Sequence, residues 1–209
     1  MEKTGHSRRA RGRPPGFDRA AALERALALF WERGYEGTSV AELVEAMGIT
    51  PPSLYGAFGS KEGLYREALA LYGEGPGRFG PRALAEEPTA RAAVARLLRE
   101  AAEVFTDRSR PGGCMISTAV LSCAPEHRAV AEAVAGMRAA ATDALAERIG
   151  RGIAAGELPE GTDARALARF YGAVIQGMSV QARDGADHDA LAAIARTALA
   201  AWPSPPGPE

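Results

Sequence analysis

Residues 34–65 read GYEGTSVAELVEAMGITPPSLYGAFGSKEGLY, and their spacing decides the architecture. Ser39-Val-Ala-Glu42 is a capping box: the Ser hydroxyl and the Glu carboxylate satisfy each other's backbone N–H groups and start a helix. Val40, Leu43, Val44 and Met47 form its apolar stripe. Gly48-Ile49-Thr50 is a tight turn. Thr50 then serves as N-cap and Pro51 as first residue of a short helix reaching about Phe58, where a missing N–H costs nothing. Ser60 caps a further helix, Lys61 to Tyr72. Two short helices across a glycine-containing turn make a helix-turn-helix. Ile49, Leu54 and Phe58 complete its small core, which leaves Pro52, Ser53, Tyr55, Gly56 and Ala57 facing outward. None of these five is charged and most are small. Such a face can approach a groove floor closely but cannot read bases through many bidentate contacts.

The Gly-Tyr after the first helix, the Thr-Ser before the second, the Gly-Ile-Thr turn, the Leu-Tyr-x-x-Phe helix and the Ser-Lys-Glu start of the fourth helix follow one order. In that order the segment closely resembles the DNA-binding part of the TetR family of bacterial regulators. The resemblance implies an all-α chain of about nine helices, with an N-terminal helix-turn-helix domain and a larger helical domain for ligand binding and dimerisation. It further implies a homodimer held by the last two long helices, and a small-molecule pocket whose occupation weakens operator affinity. Residue by residue, it sets Thr38 and Ser39 at phosphate at the start of the second helix. Thr50, Pro52, Ser53 and Gly56 fall nearest the base edges, Tyr55 donates to a phosphate, and Lys61 adds its ammonium to a helix N-terminus at another. Ala57 departs from the pattern, since many members carry His or another long polar residue there; weight shifts to DNA shape and to the chain ahead of the first helix.

That preceding chain is basic. Residues 1–16 hold Lys3, Arg8, Arg9, Arg11 and Arg13 against Glu2, although the whole chain of 209 residues has a net charge of −1. A cationic, disordered arm on a mildly acidic body meets an anionic partner with one end. Arg11-Gly-Arg-Pro14 suits an A·T-rich minor groove, where the potential is most negative. The first helix starts at Asp18, buries Leu23, Ala26, Leu27, Phe30 and Trp31, and stops at Gly34.

Beyond Tyr72, the breakers Gly73–Gly77 and Gly80-Pro81 mark a boundary between a DNA-binding domain, residues 17–73, and a second domain, residues 88–202. Helical spacing resumes in Val94–Phe105, in a short Cys114–Cys123 segment, from Pro125 through Ile149, from Asp163 or Thr162 through Met178, and from Asp187 or Asp189 to Trp202. Pro203-Ser-Pro-Pro-Gly-Pro-Glu209 is read as a disordered tail. Phe105, Met115, Thr118, Ser122, Met137, Phe170, Tyr171, Val174 and Met178 mix apolar bulk with a few hydroxyls, the lining expected for a neutral lipophilic or aromatic effector.

Cys114 and Cys123 lie on opposite sides of their predicted helix and do not pair. Cys114, just after Gly113 and near the predicted helix N-terminus, is the candidate for an alternative redox or electrophile response. His6, His127 and His188 have no metal-ligand spacing, and no P-loop, nucleophile elbow or dinucleotide glycine pattern is present. The reading is therefore a non-enzymatic, cofactor-free, cytoplasmic homodimer without a membrane span. Its partners are double-stranded DNA at a pseudo-palindromic operator and a small-molecule effector. The alternatives are the Cys114 response and an effector-free DNA-binding regulator.

Overall fold

Each of the four N-terminal helices starts on a side-chain oxygen that accepts from its own first turn. Asp18 accepts from Ala20 N and Ala21 N ahead of α1, Arg19–Arg33. Ser39 and Glu42 close the capping box of α2, Val40–Met47. Thr50 caps α3, Pro51–Phe58, and Ser60 caps α4, Lys61–Glu74. All four starts fall where the capping residues predict. The structure, a computed structural model, describes residues 17–121 and 123–203. The basic arm with Arg11 and Arg13, Ser122, and the tail beyond Pro203 lie outside the described residues.

The N-terminal helices close on an aromatic centre. Phe30 of α1 meets Tyr65 of α4 edge-on at 4.9 Å, and Tyr35 lies 5.0 Å from the same ring. Leu43 of α2 and Leu54 of α3 are completely buried against this centre. The α2–α3 turn depends on Gly48, whose φ of 68° is left-handed and returns its N–H to the end of α2.

The second half is built around α6, Ala90–Phe105. One side of α6 buries Val94, Leu98, Ala101 and Phe105. It packs against α5 (Phe79–Glu86), α8 (Ala164–Arg183) and α9 (His188–Ala200), while α7 (Arg128–Ala154) lies along α8. Asp163 and Asp187 cap α8 and α9. Among the described residues there are nine α-helices, two short 3-10 turns (Pro76–Arg78 and Pro125–His127) and no strand. No helix among them is long and apolar enough to cross a membrane.

The predicted total of nine arises from two compensating differences. Residues 114–121 form no helix: they run as successive turns and bends. Cys114 N donates to Ser179 Oγ at 2.8 Å, Ser117 N to Cys114 Sγ at 3.4 Å, and Thr118 Oγ1 to Cys114 O at 3.2 Å. Side chains thus take the backbone groups a helix would use, and the β-branched Ile116, Thr118 and Val120 give little helical preference in return. Val120 has a φ of 47°. In the opposite direction, α5 occupies the stretch read as a boundary. Gly80 and Pro81 lie in its first turn, where main-chain N–H groups have no helical partner and proline is tolerated.

Candidate nucleic-acid interface and interior cavity

The outward face of α3 is as bare as its sequence. Leu54 and Phe58 point into the core, while Pro52, Tyr55 and Gly56 are exposed and Ser53 and Ala57 are half-buried. Tyr55 keeps 49% of its surface in solvent, which is unusual for a large aromatic on so small a helix. A Cβ built on Gly56 meets nothing within 4 Å, so no internal packing requires glycine there. Thr50 Oγ1 and Ser53 Oγ share a hydrogen bond of 2.9 Å. Both hydroxyls remain near the surface.

Lys61 opens α4 at the far end of α3. Its Nζ rests 4.2 Å above the Tyr35 ring, a cation–π contact that fixes the ammonium. Partial burial draws its pKa down, and the Glu36 and Glu42 charges oppose that pull. Ser39 is exposed, and its hydroxyl both donates to Glu42 Oε2 at 2.7 Å and accepts from Glu42 N at 3.2 Å. Thr38 is different. It is fully buried and its hydroxyl donates to Gly34 O at 2.7 Å, so it ties the end of α1 to the start of α2. Its side chain therefore has neither access to a phosphate nor a free proton to offer one, which leaves only the main chain at this position for the expected contact.

A cavity of about 410 Å³, partly open to solvent, lies between α4, α5, α6, α7, α8 and the turn at residues 114–117. Phe79, Leu84, Leu97, Phe105, Ile116, Leu145 and Ile175 give it apolar walls; Tyr72, Cys114, Ser117, Glu147 and Arg151 are its polar groups. Glu147 and Arg151 pair at 2.9 Å in solvent-exposed positions. Tyr72 is completely buried, and its hydroxyl, beside the Cys114 thiol and the Met115 main chain, forms no hydrogen bond of good geometry. Burial, and then the neighbouring Cys114 thiol, hold this phenol far above its usual pKa. An unsatisfied buried hydroxyl costs about 1–3 kcal/mol, so its retention calls for a reason.

Of the predicted lining residues, Phe105 is on this wall. Met115 and Thr118 line a smaller space of about 160 Å³ beneath α1. Met137, Phe170, Tyr171, Val174 and Met178 do not line the 410 Å³ cavity. Met178 is core, Tyr171 is core with its hydroxyl on Ala198 O, and Phe170 is 43% exposed. The wall comes instead from α5, hidden in sequence behind its glycines and prolines, and from Tyr72, whose position at a helix end gave no signal. Cys114 is buried in a turn, so the helix N-terminus invoked to activate it is absent.

Side chains of Arg183, Trp31 and Glu36 tie the halves together. Arg183 of α8 donates to Trp31 O at 3.0 Å and Glu32 O at 2.8 Å, satisfying end carbonyls of α1. Trp31 Nε1 donates to Gly113 O at 3.2 Å, and the Trp31 ring meets Tyr72 edge-on at 4.9 Å. Gly113 has no room for a side chain, since a Cβ would lie 2.6 Å from Ser179 O. Glu36 Oε1 accepts from Ala124 N at 3.1 Å and from His127 Nδ1 at 2.7 Å. The His127 hydrogen bond is the main reason the Glu36 carboxyl sits below its usual pKa.

Residues 22–68 match the family model for bacterial regulatory proteins of the tetR family, and residues 88–198 match that for the tetracyclin repressor-like C-terminal domain. The HTH-type transcriptional repressor ComR of Escherichia coli (strain K12) is 38% identical over 200 residues, 94% of each chain. The repressor BdcR of the same strain is 32% identical over 199 residues, 91% of each chain. Among solved structures, a cysteine mutant of the TetR-family regulator CifR complexed with 26-bp double-strand operator DNA superposes with a TM-score of 0.88 at 49% identity, covering 92% of this chain and all of the other.

Proposed function

Because this chain belongs to the TetR family of bacterial regulatory proteins, we propose that it is an operator-binding transcriptional repressor that acts as a homodimer and is released by a small lipophilic ligand. The observation that carries the reading is α3: a helix with a buried Leu54–Phe58 side, a bare outward face and an exposed Tyr55, held on capped neighbours. In this reading Tyr55, Lys61 and Ser39 meet phosphate, and Thr50, Pro52, Ser53 and Gly56 lie nearest the bases. Arg11 and Arg13 reach the adjacent minor groove. Residues 17–73 form the DNA-binding unit and residues 88–202 the ligand-binding and dimerisation unit.

Dimerisation has support from the faces that α8 and α9 leave uncovered. Ala166, Phe170, Ala173, Gly177 and Val180 are exposed along α8 at alternating spacings of four and three, and Ala190, Ala193, Thr197 and Ala200 repeat the pattern on α9. Small and apolar stripes at that spacing suit close packing against a second copy in a four-helix arrangement. A two-fold pair would carry its α3 helices to successive major grooves about 34 Å apart. Ligand and operator then oppose each other through one coupling free energy.

The test is fluorescence anisotropy with duplexes taken from the regions flanking the protein's own gene. One duplex should bind at least about a thousandfold more tightly than random sequence, with two subunits per site. Replacing Arg11 and Arg13 with Ala should reduce the salt slope by about 0.9 for each phosphate left unpaired. Equal affinity for every duplex would overturn the proposal, and an unchanged slope would remove the arm from it.

A further inference from the structure

We propose that the cavity selects an uncharged, mostly apolar molecule carrying one hydrogen-bond acceptor oxygen, and that Tyr72 is the donor that recognises it. This rests on the reading of the cavity as the effector site and names what that site prefers. Its size, about 410 Å³, falls in the lower part of the range for small-molecule sites. Phe79, Leu84, Leu97, Phe105 and Ile175 demand an apolar body. The charged groups in the lining, Glu147 and Arg151, neutralise each other and ask for no ion.

What remains is the phenol. Tyr72 is wholly buried and faces this space, and its hydroxyl makes no hydrogen bond of good geometry, having only the Cys114 thiol and the Met115 main chain beside it. Cys114 Sγ is a weak acceptor that already receives Ser117 N–H. A buried donor without an acceptor gains from a carbonyl or ether oxygen and gains nothing from a hydrocarbon of the same shape. The preference is therefore chemical rather than steric. Trp31 packs on the same ring at 4.9 Å, so an occupant held by Tyr72 sits one side chain away from α1.

The experiment uses the full-length protein and its Tyr72→Phe variant, which keeps the ring and removes only the hydroxyl. The probes are acetophenone and benzophenone, each paired with the hydrocarbon in which C=CH2 replaces C=O, and binding is followed by calorimetry. Wild type should prefer each ketone by about tenfold, the size of one hydrogen bond. In Tyr72→Phe the preference should vanish while the hydrocarbons bind as before, and the apo variant should be no less stable to urea. A ketone preference that survives in Tyr72→Phe, no preference in wild type, or no binding of either pair would each overturn the proposal; the first two would mean that the phenol serves only water in the cavity. Operator release, read separately by anisotropy, distinguishes the two levels. A Tyr72-dependent preference without release leaves the anchor standing and removes the effector reading. Release by a compound indifferent to Tyr72→Phe does the reverse.

Discussion

Gly56 separates the demands of the fold from those of a partner. Glycine inside a helix is less favourable than alanine by about 0.8–1.0 kcal/mol, and nothing here fills the space a methyl group would take. Gly56→Ala should therefore raise the melting temperature by a few degrees. If α3 lies against a groove floor, the same methyl should weaken operator binding several-fold, and calorimetry with anisotropy on one preparation measures both. A variant that is more stable and binds equally well would take α3 out of the groove. The single residues that sequence reveals best are those whose job is local. Asp18, Ser39, Thr50 and Ser60 each accept from a backbone N–H two or three residues ahead, so their identity and position suffice. Thr38 lies beside one of them yet is buried, because its depth is set by how α1 packs on α2, which no local pattern encodes.

Among the helices, legibility follows how far an element depends on its neighbours. The stripes of α1, α6 and α8 are amphipathic in their own right and stand out at a 3.6-residue period. The helix α5 is eight residues long, begins among glycines and a proline, and buries only Ala83 fully. It is held by α6, and by Arg96, which reaches Glu86 at 2.9 Å and Glu87 at 3.0 Å. Because α5 walls the cavity, failing to see it also displaced the expected ligand-binding residues onto α8. The α8–α1 joint is equally hidden: Arg183 and Trp31 lie 152 residues apart in the chain. Arg183 spans two carbonyls of one helix end with a planar fork, a geometry that lysine cannot copy. Arg183→Met should lower stability to urea by roughly 1–3 kcal/mol, the range for losing hydrogen bonds to a charged group. Arg183→Lys should recover no more than part of it. Full recovery by lysine would show that charge near the α1 terminus, rather than the paired hydrogen bonds, carries the effect.

The molecule as a whole buries phenols in both of its halves, and that gives it a defined weakness in alkali. Tyr65 is almost completely buried within the α1–α4 centre, and burial pushes its pKa from 10.0 up to about 12. Tyr72 is displaced in the same direction, as are Tyr35 and Tyr171, and for each of them burial is the largest cause. The sign follows from proton counting. In the unfolded chain a tyrosine releases its proton near pH 10, whereas folded Tyr65 retains it to about 12. Between those values the native state binds more protons, so the free energy of unfolding falls as pH rises. The stabilisation is fully present below about pH 10 and is lost as pH climbs through the folded pKa. For Tyr65 alone the loss is about 2 kcal/mol by pH 12 and levels off at about 2.7 kcal/mol above it, from two units at 1.36 kcal/mol each. Urea denaturation across about pH 8 to 11 should give a midpoint that is flat at first and then declines steeply. Tyr65→Phe should flatten the decline without abolishing it, because Tyr72 still resists ionisation. A decline that begins well below pH 9, or one identical in Tyr65→Phe, would mean that some group other than this aromatic centre governs the transition.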